Sequence, residues 1–206
     1  MEDTIFDKNR VISFSDAIFS IAITLLVLEI AIPNYKTIVE YGTLKVLQST
    51  IPSFIGLVVS FFVTAIYWIA HMRITKYISY IDKKLLWINI SLLFFIVLLP
   101  FSTAFYVGGY ELTGPFVFYC FNLSGIGLFN YMMVVYVVKK EEISIGLSKI
   151  TAKREKARAL NGLLVWIFSG IMAFILPDMS RYLFLLIFVI NLFIDKYFKK
   201  ILARTV

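Results

Sequence analysis

Apolar residues gather in six long runs along this chain, at about 11–32, 51–70, 85–106, 115–138, 159–176 and 182–198, with short polar stretches between them. A bilayer core of about 30 Å is crossed by roughly 20 helical residues, so runs of this length predict membrane-spanning helices. Pro33-Asn34 stops the first run, "HMRITKYISYIDKK" parts the second from the third, and "GGYELTGP" parts the third from the fourth. "PDMSR" at 177–181 predicts a tight turn before the last run, because Pro and Asp favour turn positions. The first run is uneven. Within "RVISFSDAIFSIAITLLVLEI", residues 10–30, Arg10, Ser13, Ser15, Asp16, Ser20, Thr24 and Glu29 interrupt the apolar side chains.

Composition strengthens the membrane reading. The chain is 60% hydrophobic and 16% charged over 206 residues, a balance suited to a protein whose solvent is lipid. The polar segment Met1–Asn9 precedes an apolar run too long for a signal-peptide core and without a small-residue cleavage site, so the first helix is expected to remain in the mature protein. The halves show no internal repeat and no long linker divides them, which predicts a single unit over 1–206 and lowers the case for an inverted-repeat transporter. The net charge of +7 is distributed unevenly. Of the 20 Lys and Arg, Arg204 among them, all but Lys36, Lys45 and Arg181 fall on the N-terminal side of the layout. By the positive-inside rule both termini are then cytoplasmic, and the basic loop at 139–158 needs no nucleic-acid partner.

Reactive chemistry has little to stand on. One histidine, one cysteine (Cys120), no HExxH and no DxxD exclude the usual membrane-enzyme constellations, so neither an enzyme nor a bound cofactor or metal is expected. Glu141 and Glu142 sit in the basic loop as solvated charges. The segment "YVGGYELTG" at 106–114 has the residue types of the TVGYG potassium filter in the wrong order, and reads as an external turn. Any pore would therefore be lined by side chains.

At about 100° per residue, Ser13, Asp16, Ser20, Thr24 and Val27 share one sector of the first helix, while Phe14, Ala17, Ile21, Leu25 and Leu28 share the sector beside it. The polar stripe is expected to meet protein or water, since a mid-bilayer carboxylate costs about 2.5–3.5 kcal/mol even on lenient scales. The second helix brings Trp68 and His71, and the third brings Asn89, to the same depth, predicting a layer of Arg10, Asp16, Trp68, His71 and Asn89 that fixes the helices in register. His71 reads first as a structural histidine and second as a titrating switch. Trp87 fits an interfacial aromatic belt, and Asn122 and Asn130 with Gly125 and Gly127 fit helix packing. The aliphatic stripe Ile21, Leu25, Leu28 has two readings, packing or lipid contact, and the constriction of a pore in an oligomer with this helix at its axis.

"RVISFSD" follows the pattern R-x-x-x-F-S-D, and with "YWIAHMR" and "WINISLLFFIVLLPFSTAF" the chain resembles the transmembrane protein 175 family of cation channels. The N-terminal half carries the motifs; the rest resembles the family in length and hydrophobicity. The resemblance implies an all-α polytopic membrane protein with six transmembrane helices, whose pore is formed by the first helix in a homotetramer. It implies a potassium-permeable leak channel of modest selectivity in the cell membrane, with the bilayer and permeant K+ as its partners. Carried over, Ile21, Leu25 and Leu28 form a hydrophobic constriction with Thr24 beside it as the polar residue linked to selectivity. Arg10, Phe14, Ser15 and Asp16 form a signature tying helices together, with Trp68 and His71 as partners. Discrimination would then rest on the cost of partial dehydration, and Glu29, Glu40 and Glu111 are either cation-attracting or ordinary surface charges. Two competitors stand beside this reading: a proton-coupled secondary transporter using Asp16 and His71, and a structural membrane protein without transport.

Overall fold

The carboxylate of Asp7 accepts the backbone N–H of Arg10 at 2.8 Å, satisfying one of the donors that a helix start leaves free, and α1 (Lys8–Leu25) begins there. In the computed structural model, which describes residues 5–203, α1 tightens into a 3-10 turn over Leu26–Glu29, and Ile30 is already extended. The first span thus ends ahead of Pro33. Arg204 lies outside the described residues.

The stretch before the second run, left unassigned by the apolar pattern, forms two short helices, α2 (Tyr35–Tyr41) and α3 (Thr43–Ser49). They meet at Gly42, whose φ of 80° lies where a side chain is disfavoured. Neither has an extended buried face: α2 buries no residue and α3 only Val46. The second run is α4 (Ile51–Thr75), and the third is a broken helix, α5 (Lys83–Val97) and α6 (Leu99–Gly108). Pro100 explains the break, because it has no N–H to give the carbonyl one turn earlier. The fourth run is α7 (Thr113–Lys139). The remainder is α8 (Lys149–Met172), the single turn α9 (Pro177–Ser180) at the predicted "PDMSR" turn, and α10 (Leu185–Leu202).

Four of these elements are long and apolar enough to cross a membrane: Lys8–Glu29, Ile51–Thr75, Lys83–Gly108 and Thr113–Lys139. The other two predicted spans fall on α8 and α10, whose apolar stretches are shortened by charge. The first turns of α8 carry Lys149, Lys153, Arg154 and Lys156, and the end of α10 carries Asp195, Lys196, Lys199 and Lys200.

The core lies where α1, α4, α5–α6, α7 and α8 converge on Phe19, Leu92, Ile96, Leu123, Ile126 and Trp166. Helices α7 and α8 pack closely because Gly127 leaves room: a Cβ there would stand 3.0 Å from the Leu163 Cα. A second polar cluster surrounds the helix break. Thr103 donates to Ser60 Oγ at 2.9 Å, Ser60 and Tyr119 share a hydrogen bond at 3.0 Å, and Asn122 donates to Ser102 Oγ at 3.0 Å.

At the end of the molecule where α1 begins, isolated bridges join Phe6 to Ile81 and Ile78 to Ser144, clipping the N-terminal segment and the α7–α8 loop to the α4–α5 loop. Asp82 fastens this cap. It accepts the Leu85 N–H at the start of α5, the Tyr136 hydroxyl and the Lys140 ammonium, the last at 2.8 Å. Burial alone would raise its pKa, but the hydrogen bonds from Lys140, Tyr136 and the Leu85 backbone hold the carboxyl below its ordinary value.

Candidate functional site

The face that α1 turns into the chain is Ser15, Phe19 and Ala22, continued by Leu26, a helical 4-3-4 spacing with two small residues. Small side chains let α4 and α5 approach, and the approach brings polar groups together. The Ser15 hydroxyl donates to the Val11 carbonyl and accepts from Asn89 Nδ2, both at 2.9 Å. Asn89 Oδ1 in turn meets His71 Nε2 at 2.9 Å. With its amide N–H given to Ser15, Asn89 offers His71 an acceptor, so Nε2 carries a proton and donates. One helical turn nearer the start of α4, Trp68 Nε1 donates to Asp16 Oδ1 at 2.9 Å. The Phe19 ring closes the layer, its centroid 5.7 Å from that of His71.

Two neighbouring residues of α1 therefore hold two other helices: Asp16 holds α4 through Trp68, and Ser15 holds α5 and, through Asn89, α4 again. Backbone donors and acceptors in each helix are already spent on the helix itself, so these side-chain bonds are the directional links between them.

The layer and the polar stripe differ from expectation. Arg10 does not join it: the residue is exposed, and its guanidinium has no hydrogen bond or ion pair among the described residues. Ser15 replaces it, since it lies on the inward face while Arg10 does not. Ser13 and Ser20 are exposed too, so of the polar stripe only Asp16 meets another helix of the same chain. Thr24, also exposed, satisfies its hydroxyl within α1 by donating to the Ile21 carbonyl at 2.8 Å.

The aliphatic stripe is uncovered. Ile21 is 57% exposed, Leu25 40% and Leu28 73%, with Phe14 at 58% about two turns below Ile21. Beside them run the small and hydroxylated Ser13, Ala17, Ser20 and Thr24, all exposed. One whole side of the first helix is thus left open by its own chain, while the opposite side is fixed by hydrogen bonds. The three carboxylates Glu29, Glu40 and Glu111 are also exposed.

Sequence reasoning missed the cluster at the α5–α6 break. Ser102 and Thr103 directly after Pro100, and Asn122 amid the fourth run, were its signal: three polar residues in lipid-length apolar segments need partners, and here they find one another and Ser60.

A family model described as the endosomal/lysosomal potassium channel TMEM175 matches residues 10–100, which include every member of the polar layer. A protein of Chamaesiphon minutus named a potassium channel is 37% identical over 98 residues, 48% of this chain and 48% of that one. A Streptomyces collinus protein, also named a potassium channel, is 37% identical over 98 residues, 48% of this chain and 47% of its own length. Residues 10–100 of the chain are thus similar to the TMEM175 family. The match spans about half the length of these curated relatives. A more distant TMEM175 protein of Rattus norvegicus, named an endosomal/lysosomal proton channel, is 25% identical over 130 residues, 63% of this chain and 26% of that one.

The crystal structure of a lysosomal potassium-selective channel TMEM175 homolog from Chamaesiphon minutus superposes with a TM-score of 0.77, covering 93% of this chain and 97% of that one at 23% identity. The fold likeness therefore extends over α7–α10, beyond the residues the TMEM175 model matches. That family, these relatives and this structural neighbour are ion channels and not enzymes. With four helices long and apolar enough to cross a membrane and this similarity, the chain is a membrane protein.

Proposed function

We propose that the chain is a potassium-permeable, modestly selective leak channel in which α1 lines the pore of a homotetramer. The observation that carries the reading is the division of α1 into an inward face locked by Ser15 and Asp16 and an outward aliphatic face that its own chain leaves uncovered. Four such faces around an axis would place Ile21, Leu25 and Leu28 in successive rings, with Thr24 beside them. Rings of branched aliphatics narrow and dewet a passage, and they provide few oxygens to replace the water of an entering ion. Potassium sheds water more readily than sodium and is preferred, though modestly. The names of the bacterial relatives support the choice of ion.

In this reading all six apolar runs cross the cell membrane with both termini cytoplasmic, the charged ends of α8 and α10 lying in the cytoplasmic interface. The signature residues Arg10 and Phe14 sit at the same end of α1, uncovered within one chain and positioned to meet neighbouring subunits.

A proton-coupled transporter is the second reading, favoured by one feature: His71 Nδ1 is buried with no hydrogen-bond partner among the described residues, one turn from the Trp68–Asp16 pair. Single-channel recording of the purified protein in planar bilayers separates the two. The channel reading expects unitary potassium currents; saturable flux that follows a proton gradient, without unitary events, would replace it with the transporter.

A further inference from the structure

A groove runs between α4 and α10 over a floor made by α7 and α8, and its character changes along its length. Toward Pro52 it is a 250 Å³ apolar cavity bounded by residues such as Ile55, Val59, Phe116 and Phe184. In the middle it narrows to about 50 Å³ beside Tyr67, Asn130 and Trp166. At the end where α1 begins it opens to 300 Å³ between Arg73 and Arg158, with Ile69, Phe188 and Leu192 along its sides.

The ion pairs at this open end leave guanidinium N–H groups unused among the described residues. Arg73 Nε meets Glu155 at 3.2 Å, Arg154 meets the other oxygen of Glu155 at 3.1 Å, and Arg158 Nη1 meets both oxygens of Asp195 at 2.8 Å. Each groove arginine thus meets one carboxylate, and Arg154, off the groove, shares Glu155. No hydrogen bond from either Nη of Arg73 is formed among the described residues, and Arg158 Nε is buried without a partner. Independently, the narrow middle holds buried polar groups that form no well-aligned hydrogen bond among the described residues: Asn130 Oδ1, and Tyr67 OH and Trp166 Nε1, which face one another, on residues that are 3%, 7% and 2% exposed. The buried N–H and O–H groups call for acceptor oxygens, and the Asn130 amide oxygen for a donor such as water. The mouth of the groove is flanked by exposed apolar side chains, Ile69, Phe188 and Leu192, which suit an occupant with an apolar tail.

We propose that this groove is a binding site for an anionic phospholipid, its phosphate against Arg73 and Arg158 and its acyl chain along Ile69, Phe188 and Leu192. The ester oxygens, or water held with them, answer Tyr67 and Trp166. The site rests on α4 and α10 both lying in the membrane, which the proposed topology provides, and places the lipid in the cytoplasmic leaflet. It does not rest on ion permeation.

The test is native mass spectrometry of the full chain extracted from mixed phosphatidylcholine and phosphatidylglycerol bilayers. Wild type is expected to retain phosphatidylglycerol in preference to phosphatidylcholine, and Arg73→Gln to lose about five-fold of that preference, the effect of one cationic contact. Arg154→Gln, which removes the same charge and a bond to the same Glu155 but lies off the groove, is expected to retain it. Absence of headgroup preference in wild type, or equal loss in both variants, overturns the site. Displacement of the lipid by inorganic phosphate overturns it in favour of a soluble-anion site. If Arg73→Gln fails to fold, the wild-type headgroup comparison decides alone. Since bound lipid is read rather than current, a failed channel reading leaves this result intact.

Discussion

Ser15, Phe19, Ala22 and Leu26 turn one side of α1 into the chain with almost no exposure, while Phe14, Ile21, Leu25 and Leu28 turn the other side out. Both sides are mainly apolar, so hydrophobicity does not distinguish them. Side-chain size and hydrogen bonding do: the inward side has Ser15 and Ala22 where helices approach, and its polar groups are paired across helices. The outward side has branched aliphatics and hydroxyls that bond, where they bond at all, within α1. In a lipid solvent the distinction between packing and function is drawn by polar pairing, because burying apolar surface gains little over leaving it in the bilayer.

Breaking the inward side should have the largest consequences. Asn89→Leu leaves Ser15 without its amide donor and His71 Nε2 without its acceptor inside the bundle, and is expected to destabilise the purified protein by about 3 kcal/mol, read as a lower unfolding midpoint in detergent. An unchanged midpoint would mean that the layer is not structural. Asp16→Ala orphans the Trp68 N–H and should lower stability by about 1–2 kcal/mol, whereas Asp16→Asn, which retains an acceptor oxygen, should lose less than half of that. Equal losses for the two would show that charge rather than the hydrogen bond matters. On the outward side, Ile21→Asn should alter stability by no more than about 0.5 kcal/mol, since the residue touches little of its own chain. A large loss of folding would place Ile21 in the packing class.

The smallest effect belongs to the cap, remote from both sides. Asp82 has a folded pKa held below its ordinary value, so its contribution is fully present above the unfolded carboxylate pKa and is lost as pH falls through the folded one. Lys140→Met removes a partner and should move the acid unfolding transition to higher pH without changing ion flux at neutral pH. A transition that stays in place contradicts the assignment of Lys140 as the partner that matters.

Much of this was legible in the chain. The runs at 51–70 and 115–138 became α4 and α7 with only their ends extended, and the coincidence of Asp16, Trp68, His71 and Asn89 at one depth followed from helical rise alone. Other features were not. Pairing angle is invisible to a one-dimensional pattern, which is why Arg10 was placed in the layer and Ser15 carries it. The two-stripe reading of α1 assigned no role to Phe19, Ala22 and Leu26, because in a membrane an apolar residue facing a helix and one facing lipid look alike. The short α2 and α3 lack the length that marks a span. The Arg73, Glu155 and Arg158 cluster joins residues from distant segments, and only the folded chain brings the basic loop's continuation against α4.

The central claim is that the open face of α1 governs permeation, and the reversal potential under opposed potassium and sodium gradients tests it most directly, with wild type and Ile21→Asn recorded side by side. The account predicts a modest potassium preference for wild type, and for Ile21→Asn a larger current with a reversal potential shifted toward zero selectivity. Identical currents and reversal potentials in the two proteins would contradict it.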